Sequence, residues 1–307
     1  MRPAYLEAIE HGGFEEKLAG LKALLSPCRL CPRECGVDRL SGEAGFCGGL
    51  DRAVVSGSGP HFGEERPLVG SGGSGTIFFA GCNLGCVFCQ NYDISHLRRG
   101  RPMSCAALAQ VMLDLQEQGC HNINFVTPTH FAPQLVETVG IAARQGLRLP
   151  LVWNCGGYES AEALRLLDGI VDIYMPDAKY WDAAVGRELS GVPDYPQRMR
   201  EAITEMHRQV GDLVLDRRGV ATRGLLVRHL VLPENLAGTA GVAGFLASLS
   251  RDTYVNIMAQ YRPCHRASEF PRIARRITSR EFCQAMTDAT SAGLHRFDER
   301  PTHLAWP

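Results

Sequence analysis

The feature that most narrows the fold is a rhythm that sets in after residue 75. Six short runs rich in β-branched or aromatic residues follow one another: TIFFA (76–80), NINFV (122–126), PLVW (150–153), IVDIYM (170–175), LLVRHLVL (225–232) and TYVNIM (253–258). Between them lie segments whose apolar residues recur at helical spacing. The first starts at Ser104, carries Leu108, Val111, Met112 and Leu115 on one face and ends at Gly119; others cover 133–145, 159–168, 195–209 and 239–250. Strands that are apolar almost throughout are buried on both faces, as in a parallel sheet covered by helices. The pattern predicts an α/β fold, a partial (β/α)6 barrel of TIM type, with its chemistry just past the C-terminal ends of the strands.

Upstream, Phe14, Leu18, Leu21 and Leu25 predict a helix over 13–25 that Pro27 stops. A compact loop with four cysteines follows, and residues 56–75, rich in Gly and Ser, predict a boundary. The expected division is an N-terminal helix and small Cys-rich metal-binding lobe (1–52), the barrel (53–293) and a C-terminal tail (294–307). With 45% hydrophobic and 21% charged residues in 307, the chain has material for a sizeable core. The balance of 32 basic against 33 acidic residues argues against a dedicated nucleic-acid binder. No stretch approaches the roughly 20 apolar residues of a membrane span, and the N-terminus lacks the apolar core of a secretory signal. A cytoplasmic protein is expected.

Twelve cysteines are many for such a chain, and seven fall in two tight groups. Clustered thiols of this kind point to metal ligands rather than disulfides. Cys82, Cys86 and Cys89 lie just after the first apolar run, where three thiolates can each bind one iron of a cubane and leave the fourth iron open. The competing reading is a zinc site completed by a distant His such as His96, or three unrelated core thiols. Cys28, Cys31, Cys35 and Cys47 suffice for either a structural zinc or a fully ligated iron–sulfur cluster. A loop that short has too little core to hold itself without a staple. The remaining cysteines (Cys105, Cys120, Cys155, Cys264, Cys283) are expected to be small buried hydrophobes, with Cys155 a partial exception that lies close to the site as a bystander rather than a ligand.

The run Cys82-Asn-Leu-Gly-Cys86-Val-Phe-Cys89-Gln-Asn resembles the radical S-adenosylmethionine (SAM) superfamily, and more closely the relatives of pyruvate formate-lyase activating enzyme. Met175-Pro-Asp177-Ala-Lys179 is similar to their Asp-x-Lys motif. Asn154-Cys-Gly-Gly-Tyr158 stands where they carry an Asp-Thr-Asn-Gly turn, and Arg228 with Val231-Leu-Pro233 matches their Arg-containing strand and its end. The second strand departs from the pattern. Where most members end it in Gly-Gly-Glu, this chain has Thr127-Pro128-Thr129-His130.

The resemblance implies a [4Fe-4S] cluster on Cys82, Cys86 and Cys89 and reductive cleavage of SAM to a 5'-deoxyadenosyl radical that abstracts hydrogen from a substrate, in an oxygen-sensitive enzyme. It places Phe88, Thr127, Thr129, Asn154, Asp177, Lys179 and Arg228 around SAM, the two threonines taking over the amino group. It further implies a flavodoxin- or ferredoxin-type electron donor and leaves the substrate open among small molecules, peptides and proteins, a glycyl-radical enzyme among them. The activating enzymes also bind a monovalent cation near the SAM carboxylate, for which Met175 and Asp177 match but Asn154 replaces an Asp. Glu64, Glu65, His130, Gln260, Tyr261 and Arg262 are the candidate substrate residues, and the fork of Arg262 suits a carboxylate or phosphate. From another class comes a non-catalytic iron–sulfur or zinc protein that senses redox state or carries electrons. That reading gives the open iron and the Asp-x-Lys element no purpose.

Overall fold

Each apolar run becomes a strand. The computed structural model describes residues 2–298; residues 299–307 of the expected tail lie outside the described residues. In chain order the strands are β1 (Ala53–His61), β2 (Ser74–Phe79), β3 (Arg101–Met103), β4 (Ile123–Val126), β5 (Leu151–Cys155), β6 (Ile173–Pro176), β7 (Val214–Leu215), β8 (Ala221–Leu230), β9 (Tyr254–Met258) and β10 (Arg296–Phe297). Helices α1 (Ala4–His11) and α2 (Phe14–Ala23) precede them. The rest are α3 (Arg66–Val69), α4 (Tyr92–Ser95), α5 (Cys105–Glu117), α6 (Ala132–Arg144), α7 (Ala161–Leu167), α8 (Ala183–Ser190), α9 (Tyr195–Val210), α10 (Thr239–Leu249) and α11 (Ser279–Ser291).

One sheet runs β10-β9-β8-β6-β5-β4-β2-β1-β3, with β7 hairpinned onto β8. From β2 to β10 the pairing is parallel, and among the described residues the end strands β3 and β10 do not pair with each other. The partial barrel is therefore open. Register sets up the site: Val126 lies opposite Asn154, Asn154 opposite Met175 and Arg228 opposite Asn256, while a single bridge joins Asp177 to Arg228. Residues from five strands, β4, β5, β6, β8 and β9, thus reach one level.

The helices bury the faces their periodicity predicts. In α5, Ser104 caps the first turn by accepting from Ala107 N–H at 3.2 Å, and Leu108, Met112 and Leu115 are buried while Val111 is half-buried. Among the described residues no helix is long and apolar enough to cross a membrane.

Two stretches differ from expectation. The Gly/Ser-rich segment is not simply a boundary, because residues 55–61 form most of β1, antiparallel to β2. Ser-Gly-Ser-Gly-Pro has little β propensity of its own, and ladder hydrogen bonds with β2 impose the extended form. The strand is largely solvent-facing over Ser56–His61. Nor is the sheet confined to 53–293, since Arg296 and Phe297 pair with Tyr254 and Val255. At the other end, α1 and α2 meet at Gly12 and Gly13, both at positive φ, and bury Tyr5, Phe14, Leu18 and Leu21 in the core shared with the sheet. Asp172 fastens this start of the chain by accepting from Ala4 N–H at 2.8 Å and Leu151 N–H at 2.9 Å.

Candidate active site

The loop after β2 turns sharply through Gly81, whose φ of 86° belongs to glycine and whose added Cβ would meet the Cys47 carbonyl at 2.4 Å. Cys82, Cys86 and Cys89 follow, and each sulfur faces a hydrogen-bonding group. Leu84 N–H donates to Cys82 Sγ at 3.3 Å, Ser190 Oγ donates to Cys86 Sγ at 3.3 Å, and Ser95 Oγ lies 3.1 Å from Cys89 Sγ. Burial pushes the Cys82 thiol up to about 12 and raises that of Cys89. Any metal bound there would have to displace these protons.

Across from the thiols stand the strand ends. Arg228 donates through Nε to Asp177 Oδ1 at 2.9 Å and through Nη2 to Asn154 Oδ1 at 2.6 Å, and Lys179 Nζ donates to Asp177 Oδ2 at 2.7 Å. These side chains are only 13–19% exposed for Asp177, Lys179 and Arg228. Burial works against ionisation of Asp177, but the Arg228 and Lys179 cations override it and hold the carboxyl below its usual range. Burial likewise opposes the Lys179 charge, and Asp177 more than restores it. Thr127 closes β4 with φ of 60°, a strained setting for a β-branched residue. Its N–H donates to Asn154 O at 2.8 Å.

These groups line one cavity of about 250 Å3, which takes in Cys82, Cys86, Phe88, Cys89, Thr127, Asn154, Cys155, Asp177, Lys179, Arg228 and Gln260. Phe88 is fixed edge-on against Tyr180 and Tyr261, with ring centroids 6.3 and 5.8 Å away. Glu64 is buried and reaches the site from the β1 side, 3.9 Å from Arg228 Nη1, and buried Glu65 accepts from Asn256 Nδ2 at 2.7 Å.

Besides Glu64 and Glu65, four expected residues do not line the cavity. Thr129 and His130 lie in a 3-10 turn beyond Thr127 that carries them behind the strand end. Thr129 Oγ1 donates to Glu159 Oε1 at 2.6 Å, and His130 Nε2 lies 2.8 Å from Ala80 O. Tyr261 is buried behind Phe88 with its hydroxyl on Ile273 O at 2.7 Å, and Arg262 is exposed. Of the five scattered cysteines, Cys120 and Cys155 are buried as expected, whereas Cys283 is exposed.

Three further residues, Gly157 of the Asn154–Tyr158 turn among them, support the site. The Tyr195 hydroxyl accepts from Lys179 N–H at 2.9 Å and donates between the carbonyls of Gly156 and Asp177 at 2.9 and 2.8 Å. Gly157, at φ 74°, lets that loop press against β6, for an added Cβ would stand 2.2 Å from Asp177 O. Gly157→Ala is expected to cost on the order of 3 kcal/mol, read by urea denaturation of the metal-free chain. A change below about 0.5 kcal/mol, the size of an ordinary surface substitution, would show that the approach relaxes freely.

Glu159 is the third. Its buried carboxyl is pushed up to about 7 by desolvation, which outweighs the hydrogen bond from Thr129. The unfolded chain releases this proton near pH 4.5 and the folded chain near pH 7. Between those values the folded state binds more protons, so stability falls as pH rises and levels off above pH 7. Glu159→Gln is expected to remove that slope, about 1.4 kcal/mol per pH unit across the window. Denaturation of both proteins at pH 5 and pH 7.5 measures it, and parallel losses would disprove it.

In the second cysteine group, Cys28, Cys31 and Cys47 are buried and Cys35 is exposed, around a small hollow also lined by Arg33, Arg39, Asn83 and His130. Burial pushes the Cys31 thiol up to about 12. Among the described residues no three His, Cys, Asp or Glu side chains are gathered around a position for a single metal ion.

Comparison with known proteins gives the following. The family model for the radical SAM superfamily matches residues 76–217. Over 299 residues the chain is 32% identical to an uncharacterized protein of Methanocaldococcus jannaschii, covering 94% of this chain and 82% of that one. Among solved structures it is similar to Streptococcus suis SuiB bound to the precursor peptide SuiA, at 11% identity and a TM-score of 0.47, over 71% of this chain and 46% of that one. It thus spans less than half of the SuiB chain. It is also similar to methylornithine synthase, at 12% identity and a TM-score of 0.42, over 72% and 70% of the two chains.

Proposed function

The chain belongs to the radical SAM superfamily, and from that premise we propose that the cavity past the strand ends is where Cys82, Cys86 and Cys89 hold a [4Fe-4S] cluster and where SAM binds. When bound, the reduced cluster supplies the electron that cleaves SAM to methionine and a 5'-deoxyadenosyl radical, which takes hydrogen from a substrate. The observation that carries the proposal is that the three thiols share one cavity with Asn154, Asp177, Lys179 and Arg228. The residues fit both groups: each sulfur faces a hydrogen-bonding group, as a ligating thiolate requires, and a charged, hydrogen-bonded set lies opposite for a zwitterionic ligand.

The chain's own residues then have distinct tasks. Cys82, Cys86 and Cys89 would hold the cluster through three thiolates, one fewer than its irons. Arg228 and Lys179 favour the SAM carboxylate and ribose, with Asn154 beside them and Asp177 holding both cations in place. Thr127, at the point where relatives carry an acid, offers its hydroxyl and carbonyl to the SAM amino group. Phe88 forms an apolar wall that excludes water. Glu64 braces Arg228 from the far side, and Gln260 faces the substrate end with Arg262 on the rim outside. A flavodoxin- or ferredoxin-type protein delivers the electron. The substrate is a small molecule or a peptide position, and in the activating-enzyme reading it is a glycyl-radical enzyme. The Cys28, Cys31, Cys35 and Cys47 lobe binds zinc or a second iron–sulfur cluster, which elemental analysis of the purified protein distinguishes.

Anaerobic reconstitution with iron and sulfide, reduction and addition of SAM test the central claim, with 5'-deoxyadenosine and methionine followed by chromatography. Formation of both is expected. An intact, reducible cluster that neither binds nor cleaves SAM would overturn the proposal in favour of a carrier or sensor.

A further inference from the structure

The N-terminal cysteine lobe reaches out of itself and grips the Cys82 loop. Arg33 lies between Cys31 and Cys35, and its guanidinium leaves the lobe. Nε donates to Asn83 O at 2.9 Å, while Nη2 donates to Leu84 O at 2.9 Å and Ser190 O at 3.2 Å. Those three residues surround the thiols. Leu84 N–H donates to Cys82 Sγ, Ser190 Oγ donates to Cys86 Sγ, and Asn83 lies between the two cysteines with its own amide on Tyr158 O at 2.6 Å. The Phe46 ring covers the guanidinium, 3.6 Å from its carbon. A second strut meets the same loop at its start. His130, which lines the hollow of the four lobe thiols, places Nε2 2.8 Å from Ala80 O.

We propose that Arg33 is a positioning residue for the cluster: by fixing the carbonyls of Asn83, Leu84 and Ser190 it presents the Cys82 and Cys86 sulfurs to iron at a set spacing. The inference rests on the reading of Cys82, Cys86 and Cys89 as cluster ligands. The residue type suits the task. A planar fork with five donors can hold three carbonyls at once, whereas a lysine of similar reach offers one compact ammonium. Groups that orient ligands from outside the coordination shell govern how firmly a metal is held, by about 10- to 100-fold when removed. The positive charge of Arg33, a few bonds from the sulfurs, also favours the more negative, reduced form of the cluster.

Arg33→Lys and Arg33→Ala, reconstituted anaerobically beside the wild type, test this through two readouts that require no substrate. Loss of visible absorption under an iron chelator reports retention, and the electron paramagnetic resonance signal of the reduced cluster reports its ligand geometry. Chelator-driven loss about 10- to 100-fold faster is expected in both variants, with an altered resonance signal in whatever cluster remains. Phe46→Leu keeps the three hydrogen bonds and is expected to behave as wild type. Should Arg33→Ala fail to fold, Arg33→Lys, which keeps charge and length but not the fork, carries the test. If the wild type loads no cluster, the reading of the cysteine loop falls and this inference with it. A wild type that loads normally, with variants that match it in loss rate and resonance signal, overturns the inference alone.

Discussion

Cys86→Ala is expected to reduce 5'-deoxyadenosine formation by more than about 100-fold, since even an outer partner of a metal ligand is worth 10- to 100-fold. Cys86 is the middle of the three proposed ligands, 8% exposed and hydrogen-bonded to Ser190, so on that reading alanine leaves two thiolates to hold a cubane. One further thiol lines the cavity, that of Cys155, and it makes a poor substitute. Burial raises it well above an ordinary cysteine, and Glu159 engages it. Bound iron and sulfide per chain, visible absorption and chromatography of the products measure the effect. Because Cys86 fills little volume, far-ultraviolet circular dichroism should match wild type. Undiminished SAM cleavage with two cysteines would remove the cluster assignment.

Asp177→Asn should be nearly as severe, for a different reason. Asp177 is the common anion between Arg228 and Lys179, and its loss leaves two largely buried cations facing each other. Removing one partner of a buried pair typically costs 3–5 kcal/mol, so about that loss is expected in urea denaturation of the metal-free chain. Anaerobic calorimetry of the reconstituted variant should show SAM binding at least about tenfold weaker, because Arg228 and Lys179 lose the group that aims them. The pH dependence has a definite sign. The Asp177 carboxyl is held below its usual 3.8, so its contribution is complete above about pH 4 and is lost as pH falls through the lower folded value. The variant should lack that part of the acid limb. Wild-type affinity and stability would demote the pair to surface decoration.

What the sequence made legible follows from which signals are local. The six apolar runs announced their strands because parallel strands are buried on both faces; Asn154, Asp177 and Lys179 lie just past such runs and Arg228 within one, but it was the family resemblance that singled them out. Thr129 and His130 were misplaced because the chain turns at Thr127. A left-handed β-branched residue before a proline is disfavoured by every local preference, and only the surrounding contacts impose it. β1 went unread because its glycines and serines carry no strand signal and its conformation comes from β2. Tyr195 and Ser190 lie far along the chain from what they hold, so no spacing could reveal them. Arg33 went unread for the same reason, since its three partners lie 50 or more residues along the chain.

A closed barrel has its diameter dictated by strand number and shear. Here the ladder ends at β3 on one side and β10 on the other, with no hydrogen bonds across the seam among the described residues. The aperture is therefore set by how tightly the sheet curls, a soft variable, while the cysteine loop and the strand-end charges are anchored near its middle. Strand number and shear therefore do not fix the width of the mouth, which rests on the curl of the sheet.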